Sequence, residues 1–182
     1  MRRRDFSSVR VFALALLACA CTPAFNWREV PLGDDLVALL PCKPDRAQRS
    51  LPLGDGTVVE LEMAGCEAGG ATFAVARLPG GDPAQAATRL AAWRQAVKAP
   101  WTGAEFTEAP WRLPRAAAAP APLALDAARS ATAGGQGVGE AHWRWFAQAD
   151  AHGALTLYQA TVLGRPSAAD AAATFFEGLR LR

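Results

Sequence analysis

The spacing of apolar residues changes several times along this chain, and each change marks an element. Residues 11–18 are an unbroken apolar run behind Arg2, Arg3, Arg4 and Arg10. Further on, a short tryptophan-led strand is predicted over residues 27–31. Leu36–Leu40 is a second apolar run, closed by Pro41 and Pro44, which predicts a buried strand. Residues 46–53 fit a third strand, and Asp55-Gly56 is a hairpin turn signal. In residues 57–63 the period becomes two: Val59, Leu61 and Met63 oppose Val58, Glu60 and Glu62. Such alternation predicts an antiparallel sheet with one solvated face. Gly69-Gly70 turns the chain back into a strand over residues 71–77, so residues 46–77 form a meander.

The period then becomes helical. Asp82-Pro83-Ala84-Gln85 supplies a cap, a proline at the first helical position and a glutamine three residues after the cap. Ala86, Leu90, Trp93 and Val97 follow as one apolar stripe, and Pro100 ends the helix. The stretch around residues 112–139 is rich in alanine, proline and glycine and reads as an insertion or mobile loop, with residues 123–132 open between a short strand and a helix. Glu140–Ala149 and residues 154–163 then form a hairpin around Asp150-Ala151-His152-Gly153, with Trp143, Trp145, Phe146, Leu155, Leu157 and Tyr158 as cross-strand contacts. Ser167 and Asp170 form a capping arrangement before a last helix carrying Ala172, Phe175, Phe176 and Leu179. Strands and helices are segregated rather than alternating. The fold class is therefore α+β, a largely antiparallel sheet packed against a central and a C-terminal helix.

The opening run is too short to remain in a membrane, because eight residues rise about 12 Å as a helix against roughly 30 Å of hydrocarbon. A positive head, a short apolar core and small residues at its end describe an export signal over residues 1–18. Leu16-Leu17-Ala18-Cys19 resembles the bacterial lipobox, which implies cleavage before Cys19, acylation of its thiol and membrane lipid as a partner. Residues 19–26 would then tether a domain spanning residues 27–182. Ordinary secretory cleavage near Ala18 or Ala20 is the alternative, and Arg3-Arg4-Asp5-Phe6 loosely resembles a twin-arginine signal.

Charge follows from this division. The full chain carries 19 basic and 17 acidic residues; the signal holds four arginines and Asp5, leaving 15 basic and 16 acidic and a net charge near −1. No polyanion-binding surface follows, and nucleic acid is excluded as an expected partner. About 164 residues suffice for one domain with its own core.

Catalytic signals are sparse. His142 and His152, the only histidines, lie ten residues apart, and a metal site would need both together with carboxylates such as Glu140 or Asp150. Cys19-Ala20-Cys21 lacks redox spacing, and Ser50, Ser130 and Ser167 lie outside a nucleophile elbow. Gly134 to Gly139 precedes no Lys-Ser/Thr pair. No enzyme, metal or cofactor is expected. Cys42 and Cys66 flank predicted strand ends; in an oxidising compartment they pair as a disulfide, or else they fill core space as free thiols. Trp101 and Trp111, beside the irregular section, together with Tyr158, are the candidate binding surface for an envelope protein or an apolar ligand.

Several segments share an order with a known arrangement. The tryptophan-led strand, Leu36-Val37-Ala38-Leu39-Leu40-Pro41-Cys42-Lys43-Pro44, the meander ending Thr72-Phe73-Ala74-Val75-Ala76, the helix of residues 82–97, the later hairpin and Ala173-Thr174-Phe175-Phe176-Glu177-Gly178-Leu179-Arg180-Leu181 resemble the exported domains of the Mog1/PsbP-like fold, including small bacterial lipoproteins. That resemblance implies a binding, assembly or accessory role on the periplasmic side of a bacterial membrane and brings no catalytic residues with it.

Replacing the acyl acceptor tests the anchor. Cys19→Ser is expected to move the protein from the membrane fraction to the soluble fraction, read by immunoblot after carbonate washing. Unchanged fractionation would count against lipidation.

Overall fold

The computed structural model describes residues 24–52, 56–129 and 139–182. The signal, Cys19, Cys21, Asp55, Ser130 and the glycine run up to Val138 lie outside these residues. Within them are ten strands and two helices: β1 Arg28–Leu32, β2 Leu36–Leu40, β3 Asp45–Pro52, β4 Val58–Ala68, β5 Ala71–Gly81, α1 Pro83–Lys98, β6 Glu105–Pro110, β7 Leu123–Ala128, β8 Glu140–Ala149, β9 Leu155–Leu163, α2 Ala171–Glu177 and β10 Arg180–Leu181. Seven strands form one antiparallel sheet in the order β3-β4-β5-β9-β8-β7-β6, and β1-β2-β10 form a smaller one. The class is α+β with a large antiparallel sheet and two helices.

Burial along β5 explains the layering. Ala71, Phe73 and Val75 are buried on one face, then Ala76 and Leu78 on the other. In β4 the same switch separates Val59 and Leu61 from Ala64 and Ala68. Successive strand residues point to opposite faces, so the large sheet is apolar on both sides. This corrects the expectation of one solvated face. The small sheet and α2 cover one side, where Phe73, Phe146, Tyr158 and Phe175 form a core with Leu36, Leu40 and Val162. Helix α1 covers the other through Ala86, Leu90 and Trp93, against Leu78, Trp143, Trp145 and Leu157.

Local chemistry sets the ends of α1. The Asp82 side chain accepts a hydrogen bond from Ala84 N at 2.8 Å and Pro83 occupies the first turn, so an orphan donor of that turn is satisfied. Near the other end, Arg94 and Lys98 both hold Glu108 of β6. The Lys98 and Arg94 donors outweigh the cost of partial burial and keep the Glu108 carboxyl below its usual range, with the Lys98 hydrogen bond contributing most.

The section read as an insertion supplies one strand, β7, and a further strand, β6, lies just before it. β6 was missed, and β7 is hydrogen-bonded between β6 and β8. Leu125 and Ala127 of β7 are buried in the core under α1. The connection between the two strands also packs: Trp111 lies 5.8 Å from Phe146, and Ala117 N donates to Ala147 O at 2.7 Å. Ala124 and Ala127, which favour helix in isolation, are buried in the sheet. Two further differences concern the end of the chain. Helix α2 begins at Ala171 with Asp170 at its cap, not at a helix capped by Ser167. The Ser167 main chain is engaged elsewhere, its N–H donating to Gly69 O at 2.7 Å. After α2, Arg180 and Leu181 pair with Val37 and Leu36 as β10.

Cys42 and Cys66 are bonded, with S–S 2.02 Å and Cα atoms 6.0 Å apart. Cys66 lies inside β4 rather than at a strand end. The bridge therefore staples the end of the small sheet to the large one. The double variant Cys42→Ser/Cys66→Ser is expected to lose about 3 kcal/mol of stability, since a loop of this length gives an entropic contribution of that order. Denaturant titration reads the loss.

Candidate functional site

A concavity with a mixed polar and apolar lining lies between β7–β8 and the segment leading into α2. It has a volume of about 750 Å³. Asp126, Glu140, His142 and Arg144 form its sheet wall, and residues 165–169 with Ala172, Ala173 and Phe176 form the other. The sheet places these side chains by register. Asp126 sits directly across from His142, and both point away from the face that buries Leu125 and Trp143.

One carboxylate oxygen organises the wall. Asp126 Oδ1 lies 2.9 Å from His142 Nδ1 and accepts a hydrogen bond from Arg144 Nη1, also at 2.9 Å. Arg144 Nη1 donates as well to Trp143 O at 2.8 Å. Its guanidinium lies 4.4 Å from the centre of the Phe176 ring, so a cation–π contact joins the sheet to α2. Burial works against the Asp126 carboxylate, but the hydrogen bonds from His142 and Arg144 outweigh that cost and hold it below the usual aspartate range. At the rim, Arg165 pairs with Glu140 at 3.1 Å.

This arrangement orients the imidazole, since Nδ1 is tied to Asp126. It also sets cationic and anionic groups beside an alanine-rich apolar wall. Ser167 shares the cleft but makes no hydrogen bond to His142; its oxygen lies against Gly69. His152 is exposed in the β8–β9 turn, where its N–H donates to Asp150 at 2.8 Å. The two histidines do not converge. Among the described residues no group of three or more His, Cys, Asp or Glu is placed to hold a metal ion.

The sheet separates Trp101 from Trp111 and Tyr158. Trp101 belongs to the core under α1, edge-on to Trp143 at 5.4 Å, with Arg129 5.0 Å from its ring centre. Trp111 packs in the opposite core, through Phe146. Tyr158 stacks on Phe146 at 5.2 Å and is 0% exposed; burial above all pushes its hydroxyl up to about 12. The three do not share a surface, and none lines the cleft. Sequence reasoning weighed His142 and Glu140 for a metal and missed Asp126 and Arg144. Alternation in Leu-Ala-Leu-Asp-Ala-Ala puts Asp126 opposite the leucines, but only the β7–β8 register brings it to His142.

No protein-family model matches the chain, and comparison with curated proteins gives no match.

The depressed Asp126 pKa predicts an acid-sensitive contribution to stability. Its folded value lies below the ordinary 3.8. The contribution is therefore complete above 3.8 and is lost as pH falls through the lower folded value. Asp126→Asn is expected to cost about 1 kcal/mol near neutral pH, a figure kept modest because solvent reaches the pair. The gap between variant and parent should close in strong acid, as followed by denaturant midpoints across pH.

Proposed function

We propose that this chain is a bacterial envelope lipoprotein, exported by residues 1–18 and acylated at Cys19, whose domain is a noncatalytic accessory or binding protein. The observation that carries the binding role is the mixed cleft of about 750 Å³. Its volume lies in the range that holds a small ligand or a short segment of another protein. Its polar groups already bond to one another, Asp126 with His142 and Arg144 and Glu140 with Arg165. A pre-bonded polar wall facing alanines and Phe176 suits recognition by shape and a few hydrogen bonds. An envelope-protein segment, with alternating polar and apolar side chains, fits that lining better than a wholly apolar ligand.

The address rests on the arginine-headed apolar run and on Leu16-Leu17-Ala18-Cys19, and the bonded Cys42–Cys66 pair agrees with an oxidising compartment. Within the same reading we assign the domain to the Mog1/PsbP-like arrangement. The succession of a short hairpin, a meander, a central helix, a further hairpin and a closing helix supports that assignment. Among the described residues no helix is long and apolar enough to cross a membrane.

A photo-crosslinking residue at Ala169, on the cleft rim, is expected to give a discrete adduct in intact cells. One at Thr88, exposed on α1 on the opposite side, is expected to give none. Adducts in equal yield from both positions would argue against the cleft as the binding site.

A further inference from the structure

The first fixed residues of the domain lie close to the proposed acylation site in the chain. Phe25 stacks on Trp27 at 6.0 Å and meets Phe73 edge-on at 6.4 Å. Asn26 N–H donates to Pro41 O at 2.6 Å. Phe25 also lies against Gly69, where a Cβ would collide with its ring; Gly69 takes φ +57° in the β4–β5 turn. The chain is thus held at one end of the large sheet from Phe25 onward. Phe25 lies six positions after Cys19, and six extended residues span at most about 20 Å.

The far end of the sheet is beyond that reach. β5 contains eleven residues, which at about 3.4 Å each set its two ends roughly 34 Å apart. Ala71 lies at the Phe25 end. At the other end are Gly81, Gly56 and the exposed β8–β9 turn containing His152 and Gly153. Register fixes this arrangement, since Thr72 is paired with Leu163 and Pro79 with Thr156.

We infer that the end of the domain formed by Gly69, Gly70 and residues 164–167 is its membrane-facing surface, held against the lipid headgroups by a tether shorter than the sheet it carries. An inverted domain would need Phe25 more than 30 Å from the bilayer, about half as far again as the tether allows. The same end carries the 165–169 rim of the cleft, because Ser167 N–H donates to Gly69 O and Gly164 N–H donates to Glu140 O. The cleft is therefore presented beside the headgroup layer rather than toward the aqueous compartment. This inference rests on the proposed acylation of Cys19.

The test uses the full chain, processed in cells and placed in nanodiscs that contain a nitroxide-headgroup lipid. Amide signals of Gly70, Gly164 and Arg165 are expected to be lost, while those of Gly56, His152 and Gly153 survive. A long Gly/Ser segment inserted between Pro23 and Ala24 should abolish the contrast. Equal losses at both ends, or greater loss at His152, would overturn the orientation, as would a contrast that persists with the long insert. Intact mass separates the two readings: an unacylated chain defeats the anchor, whereas an acylated chain with uniform losses defeats the orientation alone.

Discussion

The structure depends on a sheet that is apolar on both faces. Phe73 and Leu78 stand on opposite sides of the same strand, and both are buried. Water cannot cover either face without a large loss of hydrophobic free energy, at roughly 25 cal/mol per Å² of apolar surface. Two separate layers follow from that single constraint: α1 over the Leu78 side, and the small sheet with α2 over the Phe73 side. The order of elements in the chain supplies them. A short hairpin precedes the meander, a helix follows it, and a second helix comes last. Even β10, only two residues long, serves the same end by closing the edge of β2 over the Phe73 core.

Much of this was legible because the signals were local. Asp82-Pro83 fixes the start of a helix by its own hydrogen bond, and the short apolar run Leu36–Leu40, stopped by Pro41, fits a buried strand. The β8–β9 hairpin was legible from its turn and its aromatic residues. β6 and β7 were not. All six positions of β6 are exposed, so no apolar period marks it, and β7 is half alanine, which favours helix in isolation. Both are strands because β8 offers an unpaired edge, and that is a tertiary fact.

The same missing register hid the cleft. Asp126 and His142 are sixteen residues apart and meet only once β7 is paired with β8. Conversely, Trp101 is divided from Trp111 and Tyr158 because aromatic residues near one another in a chain, such as Trp101 and Trp111, can serve opposite faces of a sheet. Trp101 and Trp111 flank β6, and each is drawn into the nearer core. What replaces that grouping is polar and compact, and its charges are largely matched within the cleft wall itself.

The Cys42–Cys66 bridge has a mechanical consequence. Any pull on a membrane-attached tether enters the domain at Phe25 and Asn26, and Asn26 is hydrogen-bonded to Pro41, the neighbour of Cys42. From there a covalent link runs straight into β4 in the large sheet. Beyond β1 and β2, load can thus pass to the large sheet through a covalent bond as well as through packing. Under the proposed anchoring at Cys19, the covalent joint between the two sheets would lie close to the point where the tether enters the domain.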